Sequence, residues 1–314
     1  MRRYIARRVL NLIPVLVGIS FLAFSLSSLA PGDPALRILR LQSDAPPTRA
    51  AVEKLRAELG LNAPFPLRYL RWLGDASRGD LGRSYRTGEP VLYALATRFP
   101  ATAQVAVAST LLTLLISVPL GVLSAVRRNA PIDHASRIWA LVGASMPSFW
   151  LAYLLIIVFA VSLKVLPVAG SGSVAHLVLP SLALALGGAA TLTRLTRSSL
   201  LETLGEDFVR TARAKGLSAL RVVGRHALQP GLIPVVTALG IRLGHLLAGA
   251  AIVETVFAWP GIGKFVVDSI YDRDYPVIQG FVIFTGIVFV LVNLLVDVLY
   301  VWIDPRIRIE ARRG

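Results

Sequence analysis

The chain has 314 residues, of which 55% are hydrophobic and only 16% charged, and its mean hydropathy is +0.66. That balance excludes an ordinary soluble domain, in which about a quarter of the residues carry charge. The formal net charge is +15, which raises nucleic-acid binding as a question, and the absence of cysteine excludes disulfides, iron–sulfur clusters and thiolate metal sites.

The opening stretch, MRRYIARRVLNLIPVLVGISFLAFSLSSLAPGDP, sets basic residues before an uncharged run, Val9–Leu29. A secretory signal has an apolar region of about 7–15 residues. This run is longer and predicts a retained membrane span. Ser28-Leu29-Ala30 imitates a cleavage site, but Pro31 follows it directly.

The segment Ala30–Pro100 comes next, with eleven basic and seven acidic residues. Connections this long rarely lack structure of their own. Within it, TRAAVEKLRAELGLNAPFPLRYLRWLGD predicts an amphipathic helix from Thr48 that stops near Gly60 and Pro64, then a second, aromatic helix. Five more apolar runs follow, at Ala101–Val126, Ile138–Leu163, Leu177–Thr193, Gly231–Val253 and Val277–Trp302. Each is long enough to cross about 30 Å of hydrocarbon. Pro119, Pro147 and Pro180 lie inside these runs, and membrane helices tolerate them better than soluble ones do.

Charge placement then gives a topology. The tail to Arg8 holds four Lys/Arg, Arg127–Arg137 three, Arg194–His226 seven, and the residues after Ile303 four. The short loops of the other side hold Lys164, Lys264 and Arg273. Eighteen against three predicts six spans with both termini cytoplasmic. The net charge is then mostly topology, which removes the reason to invoke nucleic acid. The expected organisation is a tail and first span over 1–30, an extracytoplasmic subdomain over 31–100, a five-helix core over 101–303 with a cytoplasmic loop at 194–230, and a cytoplasmic tail over 304–314.

No catalytic or metal-binding set emerges. A G-x-x-x-x-G-K-[ST] loop is missing: before Gly263-Lys264, Ala258 stands where the first Gly belongs, and Phe265 replaces the Ser/Thr. His134, His176, His226 and His245 are scattered without metal-ligand spacing, and there is no G-x-S-x-G elbow. Charged or polar residues inside spans are a better clue, because a central Arg or Asp costs about 2.5–3.5 kcal/mol to insert. Arg242, His245 and Glu254 are therefore candidates for a hydrophilic pathway or a subunit contact, with a structural ion pair as the alternative. Asp297, near the end of its run, reads as structural. A self-contained secondary transporter or channel remains open, although the internal repeats common in such proteins are not evident. A membrane-embedded enzyme would need a converging set of reactive groups.

One basic segment stands apart: Arg210, Thr211, Ala212, Arg213, Ala214, Lys215, Gly216, Leu217, Ser218, Ala219 and Leu220. On a helix, Val209, Ala212, Gly216, Leu220 and Val223 share one side, with Arg210, Arg213, Arg221 and Arg225 on an adjacent side. Gly216 is about 1 kcal/mol worse than Ala in a helix, so a bend or break is expected there. Such a helix could lie on anionic lipid or insert into a groove on a partner. The small residues Ala212 and Gly216 favour close docking on protein.

At these residues the sequence resembles a known family. DFVRTARAKGLSALRVVGRHALQPGLIPVV (Asp207–Val236) is similar to the EAA loop of ABC importer permeases of the peptide/nickel branch. Further similar blocks are LAPGDPA (Leu29–Ala35), SMPSFWLA (Ser145–Ala152), ETVFAWPGIGKFVVDSI (Glu254–Ile270), RDYPVIQG (Arg273–Gly280) and NLLVDVLYVWIDPRIR (Asn293–Arg308). Two departures occur, Arg210-Thr211-Ala212 at the name-giving positions and Gln229-Pro230 where the motif ends in Leu-Pro. The resemblance implies an all-α, six-span type I importer permease in the bacterial cytoplasmic membrane. It implies as partners a second homologous permease, two ABC ATPase subunits that bind ATP and Mg, an extracytoplasmic substrate-binding protein and the lipid bilayer. This chain itself would be non-catalytic and hold no cofactor. Arg210–Leu220 would be the coupling helix, seated on an ATPase. GDPALRILRLQ, the following PPT and SMPSFWLA lean toward the nickel permeases, with nickel carried as a chelate and di- or oligopeptides as the alternative.

Overall fold

The computed structural model describes residues 2–29, 32–42 and 46–303, with side chains over 13–29, 32–40 and 46–296. The expected tail 304–314 and the side chain of Asp297 lie outside these residues. Fifteen α-helices are described: α1 (Arg2–Leu29), α2 (Pro34–Gln42), α3 (Arg49–Glu58), α4 (Phe65–Ser77), α5 (Val91–Val126), α6 (Pro131–Ser145), α7 (Ser148–Leu155), α8 (Val174–Leu204), α9 (Asp207–Ala214), α10 (Ala219–Arg221), α11 (Leu228–Gly231), α12 (Ile233–Leu247), α13 (Ala251–Val256), α14 (Ile262–Asp272) and α15 (Tyr275–Ile303). Extended pairing among the described residues is limited to an isolated bridge between Arg83 and Pro90.

By length and composition α5, α8 and the Tyr275–Val296 part of α15 can each cross a membrane. Three bent pairs raise the number to six if each pair is one span: Ile13–Leu29 with Pro34–Arg40 (69°), Pro131–Ser145 with Ser148–Ser162 (104°), and Ala219–Gly231 with Ile233–Leu247 (48°). The breaks have local causes. Met146 is extended (φ −87, ψ 125) because Pro147 disfavours the helical region for the residue before it. Pro234 sits in the first turn of α12 and removes the amide that would bond the carbonyl four residues back.

Two expected runs are redrawn. Ile138–Leu163 is not one helix but α6, α7 and a π-helical turn, Ile156–Ser162. Gly231–Val253 breaks after Leu247, where Gly249 takes φ +111 before α13 begins.

The chain divides into two compact units. The first comprises 1–100 and 261–288. In it Thr48 caps α3 by accepting from the amide of Ala51 at 3.3 Å, and Gly60 (φ +63) turns the chain toward α4. Tyr69 on α4 donates to the carbonyl of Val17 at 3.2 Å and shares a 2.9 Å hydrogen bond with Ser20 on α1. Phe24 packs edge-on against Phe65 and at a tilt against Trp72, with ring centroids 5.5 and 5.4 Å away. Elsewhere in this unit Leu81, Val91, Leu95, Ile262 and Val277 form an apolar cluster. The buried Asp274 carboxylate accepts from the Ser84 hydroxyl (2.6 Å) and the amides of Tyr85 (3.1 Å) and Arg86 (3.4 Å). Burial, with the Asp274 charge adding to it, pushes the Tyr85 phenol up to about 12.

Among the described residues the second unit comprises 101–260 and 289–303. Its helices approach closely at small residues, as membrane helices do. Gly121 on α5 faces Thr196 on α8, and Gly143 on α6 faces Ala190, again on α8. An ion pair between α6 and α8 joins this packing: Arg197 Nε and Nη2 donate to the Asp133 carboxylate at 2.6 and 2.8 Å. That carboxylate also accepts from Ser124 on α5 (2.6 Å) and from the amide of Asn129 (2.9 Å).

Candidate functional site

The basic segment is not a single helix. Residues 207–214 form α9, Lys215 caps it, and a second short helix, α10, starts at Ala219. The stop follows from hydrogen bonding at the C-terminus. Gly216, at φ +75, donates to the carbonyl of Arg213 at 2.9 Å, and Leu217 donates to that of Ala212 at 3.4 Å. This is the Schellman pattern, which needs a left-handed residue at the position Gly216 holds. A glycine takes that conformation without the side-chain penalty. At the other end Asp207 stands in the first turn and Arg213 in the last, both matched to the helix dipole.

The two faces of α9 have different roles. Val209 and Ala212 are buried in a cluster with Ala125 of α5, Leu200 of α8, and Val222 and Ala227 of the π-helical turn Val222–Ala227. Leu217 packs against the same cluster. Full burial of one valine contributes about 1.5–3 kcal/mol, whereas the exposed Arg210–Asp207 pair at 3.2 Å is worth about 0.3–0.5. Apolar packing therefore sets the position of α9, and its small-residue face docks on this chain's own helices.

The opposite face carries Arg210, Thr211, Arg213, Ala214, Lys215 and Gly216 to the surface, with Ser218 and Ala219 beyond the break. Leu220 is corrected: it does not share the buried side, because the turn at Gly216 rotates it outward to 86% exposure. Phe208, which the sequence reading passed over, is 46% exposed on α9. An aromatic next to a buried Val209 was the available signal. Phe208 and Leu220 thus add two exposed apolar side chains to this basic segment.

The three polar residues of the apolar runs are not brought together. Arg242 on α12 turns its guanidinium onto Gly188 of α8, where a Cβ would collide with it, and donates to the carbonyl of Leu184. His245 is exposed, with its ring 5.5 Å from that of Phe289 on α15. Glu254 is only 1% exposed and accepts from Thr102 of α5 at 2.8 Å. Arg242 and Glu254 therefore tie helices of the second unit to each other. Gly263 and Lys264 lie in the first turn of α14, where Lys264 pairs with Asp268 at 2.6 Å, a geometry that leaves no loop to cradle phosphate. Among the described residues no group of three His, Asp or Glu could hold a metal ion.

Family comparison decides what such a helical chain is. Residues 117–309 match the family described as binding-protein-dependent transport system inner membrane component, and residues 1–106 match the N-terminal family of the same membrane components. The chain belongs to this permease family. It is accordingly a membrane permease component of an ABC-type importer and not an enzyme. The probable D,D-dipeptide transport system permease protein DdpB of Escherichia coli K12 is 43% identical over 330 residues, 96% of each chain. The oligopeptide transport system permease protein AppB of Bacillus subtilis 168 is 40% identical over 318 residues, 98% of this chain and 99% of that one. The glutathione transport system permease protein GsiC of an Escherichia coli O6:H1 strain is 42% identical over 308 residues, with 98% and 99% covered. Among solved structures, a chain of the inward-facing MetNI methionine ABC transporter aligns with a TM-score of 0.57 and 22% identity, over 69% of this chain and 99% of that one. That likeness carries the fold: an all-helical type I importer permease.

Proposed function

We propose that this permease carries di- or oligopeptides across the bacterial cytoplasmic membrane, lining the pathway together with a second, homologous permease. An extracytoplasmic binding protein delivers the peptide, and two ATPase subunits that bind ATP and Mg supply the energy. The lean toward nickel is given up. The relatives at 40–43% identity are named for dipeptides, oligopeptides and glutathione, and the two methionines with no cysteine offer a borderline metal few ligands. Six spans, cytoplasmic termini and an extracytoplasmic segment at 31–100 complete the reading, supported by the eighteen-to-three charge bias.

The observation that carries the coupling role is the two-faced α9. Its apolar face is locked to α5 and α8, so a push on its outer face is transmitted to pathway helices as a rigid body. The outer face, with Phe208, Arg210, Arg213 and Leu220, is the surface offered to an ATPase. Coupling also demands that binding there favour one permease conformation over another, or no equilibrium shifts.

Because the chain lacks cysteine, Arg213→Cys gives the permease a single thiol of its own from which to cross-link to a partner subunit. A cross-link from Arg213→Cys to an ATPase subunit, with none from Tyr153→Cys on α7, is expected; the reverse pattern removes the assignment. Calorimetry on the cognate binding protein separates the substrates: peptide binding is expected, and nickel-chelate binding without peptide binding overturns the peptide reading.

A further inference from the structure

A cleft of about 800 Å³ opens in the second unit between the end of α5, the first half of α6 and the second half of α8. Arg128, Arg137 and Arg194 line it, and no Asp or Glu does. Behind the cleft, Asp133 is already engaged by Arg197, Ser124 and the Asn129 amide. Among the described residues no carboxylate lies within salt-bridge distance of Arg128, Arg137 or Arg194, and all three are exposed. Three uncompensated cations on one concave surface repel one another unless an anion joins them.

Their depth in the chain is equally informative. Arg128 stands two residues beyond the apolar run Ala101–Val126, Arg137 directly precedes the run starting at Ile138, and Arg194 directly follows Leu177–Thr193. All three therefore sit where hydrocarbon gives way to headgroups, the depth at which arginines meet lipid phosphate. The same cleft has an apolar wall, with Ile138 and Leu141 65% and 64% exposed. A free inorganic phosphate would satisfy the arginines and leave that wall wet. A phospholipid covers both, its phosphate on the guanidiniums and its acyl chains along Ile138 and Leu141.

We propose that this cleft is a binding site for the headgroup of an anionic phospholipid, phosphatidylglycerol or cardiolipin in chemical class. Basic pockets between membrane helices bind such headgroups, and the planar guanidinium suits paired hydrogen bonds to phosphate oxygens. The site requires that these helices span a bilayer. It does not depend on the substrate or on the coupling role of α9.

The test uses the complete transporter, purified in mild detergent and examined by native mass spectrometry. Compared are the wild type, the triple Arg→Gln variant at 128, 137 and 194, and the triple Arg→Lys variant. Retained anionic phospholipid should fall about fivefold per arginine neutralised, fall less in the Lys variant, which keeps the charge but not the paired fork, and resist excess inorganic phosphate. Should the triple Gln variant fail to assemble, the three single Arg→Gln variants, each at an exposed position, repeat the count. An unchanged anionic-lipid count in the Gln variants, or displacement of the lipid by phosphate, overturns the proposal. So does loss of a partner subunit with lipid retained, since the occupant would then be an acidic protein surface. ATPase co-purification read in the same samples keeps a failure of the coupling assignment separate from a failure of this one.

Discussion

The amide of Leu217 reaches back to the carbonyl of Ala212 at 3.4 Å, closing α9 across a left-handed Gly216. Nothing lies within 4 Å of where a Cβ on Gly216 would be, so space does not restrict this position; backbone conformation does. Gly216→Asn, which tolerates the left-handed region, should retain substrate-stimulated ATPase activity close to wild type. Gly216→Val should cost about 1–2 kcal/mol in backbone strain and lower coupled activity with normal membrane insertion. Gly216→Asp, with the same backbone tolerance as Asn, adds a carboxylate at the negative end of the helix dipole and should uncouple more than Asn. Equal activity of the Asn, Asp and Val variants would show that the turn is not needed.

The buried ion pair gives a stability prediction. Removing one partner of such a pair costs about 3–5 kcal/mol, because it strands the other charge. Asp133→Asn and Arg197→Met should each lower the unfolding temperature of the purified permease markedly. The double change, Asp133→Asn with Arg197→Met, should cost less than the sum of the single losses, which a double-mutant cycle on thermal melts would read.

Sidedness is open to direct labelling, since any introduced thiol is unique in this chain. Glu53→Cys, exposed on α3, should react with an impermeant maleimide added outside intact cells. Glu202→Cys, exposed near the end of α8, should react only after the membrane is opened. Labelling of both from the same side would contradict the six-span topology.

What could be read from sequence was local. Thr48, Gly60 and Pro64 announced α3 and α4 because capping and turn chemistry act within a few residues. Pro147 lies in the third run, which reads as one span in the sequence; the 104° break there depends on how α6 and α7 pack. The α5 helix begins at Val91, ten residues before its apolar run, because VLYALATRF is amphipathic and packs Val91 and Leu95 into the first unit's core. The bond between Asp133 and Arg197 spans 64 positions, and no periodicity signals it. The same holds for Arg242, whose partner at Leu184 is 58 residues away. In the basic segment 210–220, a uniform helix of 100° per residue put Leu220 on the buried side. A single left-handed residue, Gly216, reset that phase and left Leu220 exposed.

If the outer face of α9 and α10 is where an ATPase subunit takes hold, ATPase co-purification must fall with a Phe208→Ala/Leu220→Ala permease. If both side chains are buried against the ATPase, at about 1.5–3 kcal/mol for a fully exposed one and about half that for Phe208, 46% exposed, the double variant should weaken the association by about thirtyfold or more. The partner permease should stay bound. Wild-type recovery of ATPase subunits and undiminished transport with the double variant would contradict the account.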